Sequence, residues 1–106
     1  MRHPAAIENI EALRRLAGVD DVELREEIRG LAIGDSVKLT FLPGGKSSAG
    51  ETLLVRITSI RGPAFRGKLA ARPASPGLAK LRVGSPVVFT AAHIHSLPKG
   101  QPAHGR

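Results

Sequence analysis

The sequence predicts a small α+β domain, with two N-terminal helices followed by a strongly bent antiparallel sheet. Three observations carry that prediction. The apolar period changes from about 3.6 to about 2 near Leu31, which separates a helical segment from a β-rich one. Thr52 to Ala71 reads as a β-hairpin, because arms rich in β-branched and large apolar residues flank Arg61-Gly62-Pro63. The pattern apolar-x-apolar-Gly-x-x-Val-x-apolar occurs twice, at Leu31 to Leu39 and at Leu81 to Phe89. Each copy reads as a turn tightened by glycine and followed by a strand with alternate residues inward.

The first helix is expected over Pro4 to Ala17. Pro4 suits a first turn, Ile7, Ile10, Leu13 and Leu16 or Ala17 form an apolar stripe, and Gly18 is a stop. A shorter helix follows, with Asp20 as N-cap and Glu23 at capping-box spacing. Leu24, Ile28 and Leu31 form its stripe and Gly30 closes it. Both helices are expected to cover part of the sheet; the alternative is that the first finds its place on a partner. Val37, Leu39 and Phe41 mark the first strand, and Leu42 to Gly50 is a loop by composition. In the hairpin, a three-residue loop sets Ile60 opposite Ala64, Thr58 opposite Arg66, Arg56 opposite Lys68 and Leu54 opposite Ala70. Leu53, Val55, Ile57, Ser59, Phe65 and Leu69 then share the inner face, with Gly67 opposite Ile57. Arg72 to Gly77 is a further loop. Val87 and Phe89 mark a fourth strand, and His93 to Leu97 a short fifth.

Five short strands with two glycine entries point to a five-stranded, strongly bent sheet or a small SH3-like, partly open barrel, which also protects sheet edges. The expected organisation is a helical segment at 1–30, a small β-barrel-like domain at 31–97 and a disordered tail at 98–106.

Composition narrows the function classes. The 106 residues fit one small domain with a modest core, built from Leu, Ile and Val because Phe41, Phe65 and Phe89 are the only aromatics. The absence of cysteine excludes disulfides, thiol catalysis and cysteine-ligated zinc, and fits a cytoplasmic location. No stretch reaches the roughly 18 apolar residues of a membrane span, and no secretory signal is visible. The net charge of +7 is unevenly placed: all nine acids lie between Glu8 and Glu51. From Thr52 onward there are nine basic residues and no acids. Such a one-signed half attracts polyanions, whether an acidic protein face, a nucleic-acid backbone or an anionic membrane.

Several segments follow one another in a set order: Leu31 to Lys38, Glu51 to Ile60, Phe65-Arg-Gly-Lys-Leu, Gly84 to Phe89 and His93-Ile94. They resemble a bacterial family of uncharacterised small β-rich domains. That family carries Gly-Asp-x-Val-Lys-Leu, Glu-x-x-Trp-Val, Gly-x-Leu, Gly-Asp-x-Val-x-Phe and a closing His-Ile. The resemblance covers about residues 28–97. Leu54 stands where the family often has Trp, and Ser85 replaces the second Asp. The resemblance implies a fold and no particular activity.

No residue set spells out a reaction. His93 and His95 would share one face of a strand, but no cysteine joins them and only Asp35 and Glu51 are carboxylates near the sheet. Asp35 is expected to bond backbone N–H groups in its Gly-Asp turn, and Glu51 to start a strand. Ser47, Ser48 and Ser59 have no histidine partner in view. Gly44-Gly45-Lys46-Ser47 lacks the first glycine of a phosphate loop and precedes a strand where a helix is needed. No cofactor or metal is therefore expected.

Single-strand nucleic-acid binders stack bases on aromatics, which are scarce here. The preferred reading is a small non-catalytic interaction module, accessory or inhibitory, that docks a basic sheet face onto an acidic partner protein. Its expected contacts are Arg56, Arg66 and Lys68 at the centre, with Arg61, Arg72, Lys80 and Arg82. The alternative is a nucleic-acid-binding protein contacting phosphates through the same basic half. A small enzyme is the third reading. Sequence leaves the oligomeric state open.

Overall fold

Alternation of apolar and polar residues from Ser36 onward builds a sheet, and its ends decide where the helices can sit. The computed structural model describes residues 6–43 and 50–98. In chain order the elements are β1 (Ala6–Ile7), α1 (Ile10–Leu16), α2 (Val22–Arg29), β2 (Ser36–Leu42), β3 (Glu51–Arg61), β4 (Ala64–Leu69), β5 (Pro86–Thr90) and β6 (Ile94–Ser96). Short 3-10 turns occupy Pro76–Leu78 and Ala91–His93. The Gly44 to Ser47 segment and the expected tail beyond Pro98 lie outside the described residues.

All strand pairs are antiparallel, in the order β1-β2-β3-β4-β5, and β6 returns to pair with β2. The sheet thus curls into a nearly closed barrel. Val37, Leu39, Phe41, Val55, Ile57, Leu69, Phe89 and Ile94 fill its interior, with Leu31 and Leu78 in the same cluster. Phe65 and Phe89 face each other across β4 and β5, with rings stacked 5.2 Å apart.

The two copies of the sequence pattern fold alike. Gly34 and Gly84 both take positive φ, +100° and +96°, which a side chain would strain. The Asp35 carboxylate accepts the Ala32 N–H, and the Ser85 hydroxyl accepts the Arg82 N–H. Gly34 donates to the Ile57 carbonyl and Gly84 to the Leu69 carbonyl. Ile57 donates back to Asp35, and Leu69 to Ser85. The first turn therefore docks on β3 as the second docks on β4.

The hairpin register holds near its centre and shifts near its tip. Arg56 pairs with Lys68 and Ile57 with Gly67, as alternation predicts. Beyond Ile57 the register shifts, so that Ser59 opposes Arg66, Ile60 opposes Phe65 and Arg61 opposes Ala64. Thr58 is the extra residue, and the loop shrinks to Gly62-Pro63. This β-bulge turns Ser59 out of the inner face and brings Ile60 against the core.

Gly67 is needed for space. A Cβ there would stand 2.5 Å from the Arg56 carbonyl oxygen and 2.7 Å from Val55 Cγ1.

The helical segment departs further from expectation. Pro4 lies outside the described residues, and the expected helix does not include Ala6 and Ile7, which pair with Leu42 and Phe41, nor Glu8, whose N–H bonds the Thr40 carbonyl. The free edge of β2 captures this stretch, and α1 begins after Asn9, whose side chain accepts the Ala12 N–H at 2.9 Å. Of the expected stripe, Ile10 is buried, whereas Leu13 and Leu16 are 46% and 86% exposed. Asp21, not Asp20, caps α2 by accepting the Leu24 N–H at 3.0 Å. Asp20 pairs with Arg25 instead. The Arg14 guanidinium ties α1 to the barrel through the His95 carbonyl at 2.8 Å. No helix among the described residues is long and apolar enough to cross a membrane.

Glu51 fastens the β4–β5 connection. Its carboxylate accepts the N–H groups of Ala74 and Ser75, each at 2.8 Å. Glu51→Ala should lower stability by about 1–2 kcal/mol in urea unfolding, because two donors lose a charged acceptor. Glu51→Gln, which retains one acceptor oxygen, should recover part of that loss.

Candidate functional site

Side chains that point away from the barrel interior form rows across the strands. One row runs Ser36, Arg56, Lys68, Pro86, following the register of β2, β3, β4 and β5. The next runs Ser59, Arg66, Val88, and the one beyond it Arg61, Ala64, Thr90. On the other side Lys38 opposes Leu54. Five cations, Lys38, Arg56, Arg61, Arg66 and Lys68, therefore share one face of the sheet. The bulge at Thr58 places Arg61 there, since without it Arg61 would belong to the loop.

The pair at the centre has a symmetric setting. The β2–β3 register, with Ser36 opposite Arg56 and Val37 opposite Val55, recurs in β5–β4 as Pro86 opposite Lys68 and Val87 opposite Gly67. This correspondence carries Arg56 onto Lys68, which are themselves cross-strand partners. An internal two-fold axis thus passes between the two cations. Ala70 N–H bonds the Leu54 carbonyl, which sets the ladder phase and makes Arg56–Lys68 a hydrogen-bonded pair. In such a pair the Cα atoms stand about 5.5 Å apart.

None of the ion pairs among the described residues includes these five cations. The three ion pairs among the described residues all lie in the helical segment: Arg15–Glu11, Arg25–Asp20 and Arg29–Glu26. Glu51 serves the β4–β5 connection, and Asp35 serves its own turn. α1 rests against β6 and the 3-10 turn before it, and Ile28 and Arg29 of α2 border the hairpin tip at Ile60, Gly62 and Pro63.

The other predicted contacts are exposed but scattered: Arg72, Lys80 and Arg82 lie in the connection between β4 and β5, outside the strand ladder. Sequence reasoning omitted Lys38 and Val88. Strand alternation signals the outward side of Lys38, but its position beside Arg56 depends on the β2–β3 register.

The histidines do not form a pair on one strand. His93 ends a 3-10 turn and its Nδ1 accepts the Thr90 N–H at 3.0 Å, while His95 is exposed on β6. Among the described residues no group of three potential metal ligands converges. A groove of about 460 Å³ between α1, α2 and the Ala91–His93 turn is walled by Leu24, Ile28 and Ile94. The carboxylates of Glu11, Asp20 and Asp21 at its rim are held by Arg15, by Arg25 and by the α2 N-terminus.

These features define a small α+β domain with a nearly closed, barrel-like sheet and a cationic outward face. Comparison with known proteins found no matching family model, curated protein or solved structure.

Proposed function

We propose that this protein is a non-catalytic interaction module whose outward β3–β4 face docks onto an acidic partner protein. The observation that carries the reading is the direct opposition of Arg56 and Lys68, with Arg66 beside them and no ion-pair partner among the described residues. Like charges set opposite each other on a sheet destabilise it by about a few tenths of a kcal/mol, so folding alone gives no reason for them. An accessory or inhibitory protein needs such a face and no reaction centre.

The barrel is read as SH3-like on the strength of its last connection, where β5 passes through a 3-10 turn into β6 and β6 pairs with β2. The resemblance to the uncharacterised bacterial β-rich family rests on the same turn and core residues.

Nucleic acid is the second reading, favoured by the unbroken basic character after Thr52. All three Phe side chains are buried, which leaves phosphate contacts and a strong salt dependence as its signature.

The test replaces Arg56, Arg66 and Lys68 together by Gln. The melting temperature should stay equal or rise slightly, and binding to the partner recovered from host extract should weaken about tenfold or more at physiological salt. Recovery that disappears when nucleic acid is digested would support the second reading. Unchanged binding by the triple variant would remove the hairpin face as the functional surface.

A further inference from the structure

Among the described residues the sheet path has two ends, the two-residue β1 and the longer β5. At β6 one edge pairs with β2, and α1 lies against the strand with Arg14 bonded to the His95 carbonyl. β5 ends the sheet path, and no described strand pairs with its far side.

The ladder phase shows what that edge offers. Leu69 exchanges hydrogen bonds with Gly84 and Ser85, so Leu69, Gly67 and Phe65 face β5, and Val87 and Phe89 answer them. Val88 therefore turns both its N–H and its C=O toward the open edge. Pro86 has no N–H to offer, and the Thr90 N–H already bonds His93. The edge is short, with Val88 as its one complete docking residue. The Val88 side chain is 62% exposed, in the same row as Arg66 and one row from Lys68.

We propose that an extended acidic segment of the partner adds to β5 as a further strand, bonding Val88 through its backbone and setting its outward carboxylates toward Arg66 and Lys68. This rests on the acidic-partner reading above and supplies its mode of recognition. An added strand lies about 10 Å from β4, two strand spacings away, a gap that a glutamate and an arginine side chain bridge together. Charge selects the occupant. A second copy docking β5 against β5 would bring two cationic faces side by side, whereas an acidic strand neutralises one.

The test titrates ¹⁵N-labelled protein with a short capped peptide of alternating Glu and Val. Hydrogen exchange at the Val88 amide should slow about tenfold or more at saturation. Val88→Pro removes the outward N–H without breaking a β4–β5 bond, and should weaken binding about tenfold. The same loss should follow, with unaltered protein, when the peptide is N-methylated at alternate residues. If Val88→Pro and the methylated peptide both bind like the parents while the triple Gln variant does not, the basic face stands and strand addition is wrong. If the triple Gln variant binds normally, the face reading itself fails. Protection of Val88 that grows with protein concentration alone would assign the edge to a second copy and overturn the proposal. Equal protection by duplex DNA would overturn it in favour of nucleic acid.

Discussion

Ile57→Asp is expected to leave the protein unfolded at room temperature or close to it. Ile57 is 1% exposed, and its backbone holds the Gly34-Asp35 turn on β3. An aspartate there loses about 1.5–3 kcal/mol of apolar burial and must bury a polar group without a partner. A total of about 4 kcal/mol or more stands against about 5–15 kcal/mol for a whole native domain. At about 4–8 °C per kcal/mol, the thermal midpoint should fall by about 15–30 °C or the transition should vanish from the circular dichroism melt. Arg56→Asp, one residue away, should leave the melt unchanged or raise it, because it turns a like-charged pair into an attractive one. A silent Ile57→Asp with a disruptive Arg56→Asp would mean that the inner and outer faces are exchanged.

Gly67→Ala should cost more than its single methyl implies. The added Cβ would press on the Arg56 carbonyl oxygen, which belongs to the backbone and cannot swing aside. Overpacking of this kind costs about 1–3 kcal/mol, and the site lies where β3 and β4 pair most closely with the core. Urea unfolding should show a lower midpoint with an unchanged slope. Val87, which opposes Gly67 from β5, tests the cause: if Val87→Ala relieves part of the loss, the strain lies on the β5 side instead.

The centre of the fold was legible because period and punctuation agree there. Ile57, Leu69 and Val55 alternate with Arg56 and Lys68, and a one-residue slip would bury two cations. The Thr58 bulge was less visible, since an inserted residue breaks no propensity rule. Its trace in the sequence is Ile60, which an unbulged register would leave facing out. The start of α1 is not legible in the sequence because Ile7 and Ile10 suit a helix by spacing, while the edge of β2 competes for Ile7. Asp20 and Asp21 are chemically equal as caps; the helix start, one residue later than expected, chose between them.

The candidate face was legible for Arg56, Arg66 and Lys68, which sit on strands joined by a tight loop. Lys38 and Val88 come from strands whose neighbours are fixed only by tertiary pairing. The place of His93 is not legible in the sequence, because its capping role at Thr90 depends on a turn that interrupts the expected strand.

The return of β6 to β2 has a consequence for the chain as it is made. Leu39 waits for Ile94, 55 residues further along, before that part of the β2 edge is paired. At about 5–20 residues per second, synthesis takes about 3–11 s to supply the partner. The Phe41 end of β2 is guarded from the outset by Ala6 and Ile7, which emerge before it. The Lys38–Leu39 end stays open to pairing with another nascent chain until the C-terminal strand arrives, so the period of greatest exposure to misassembly falls late in translation rather than early.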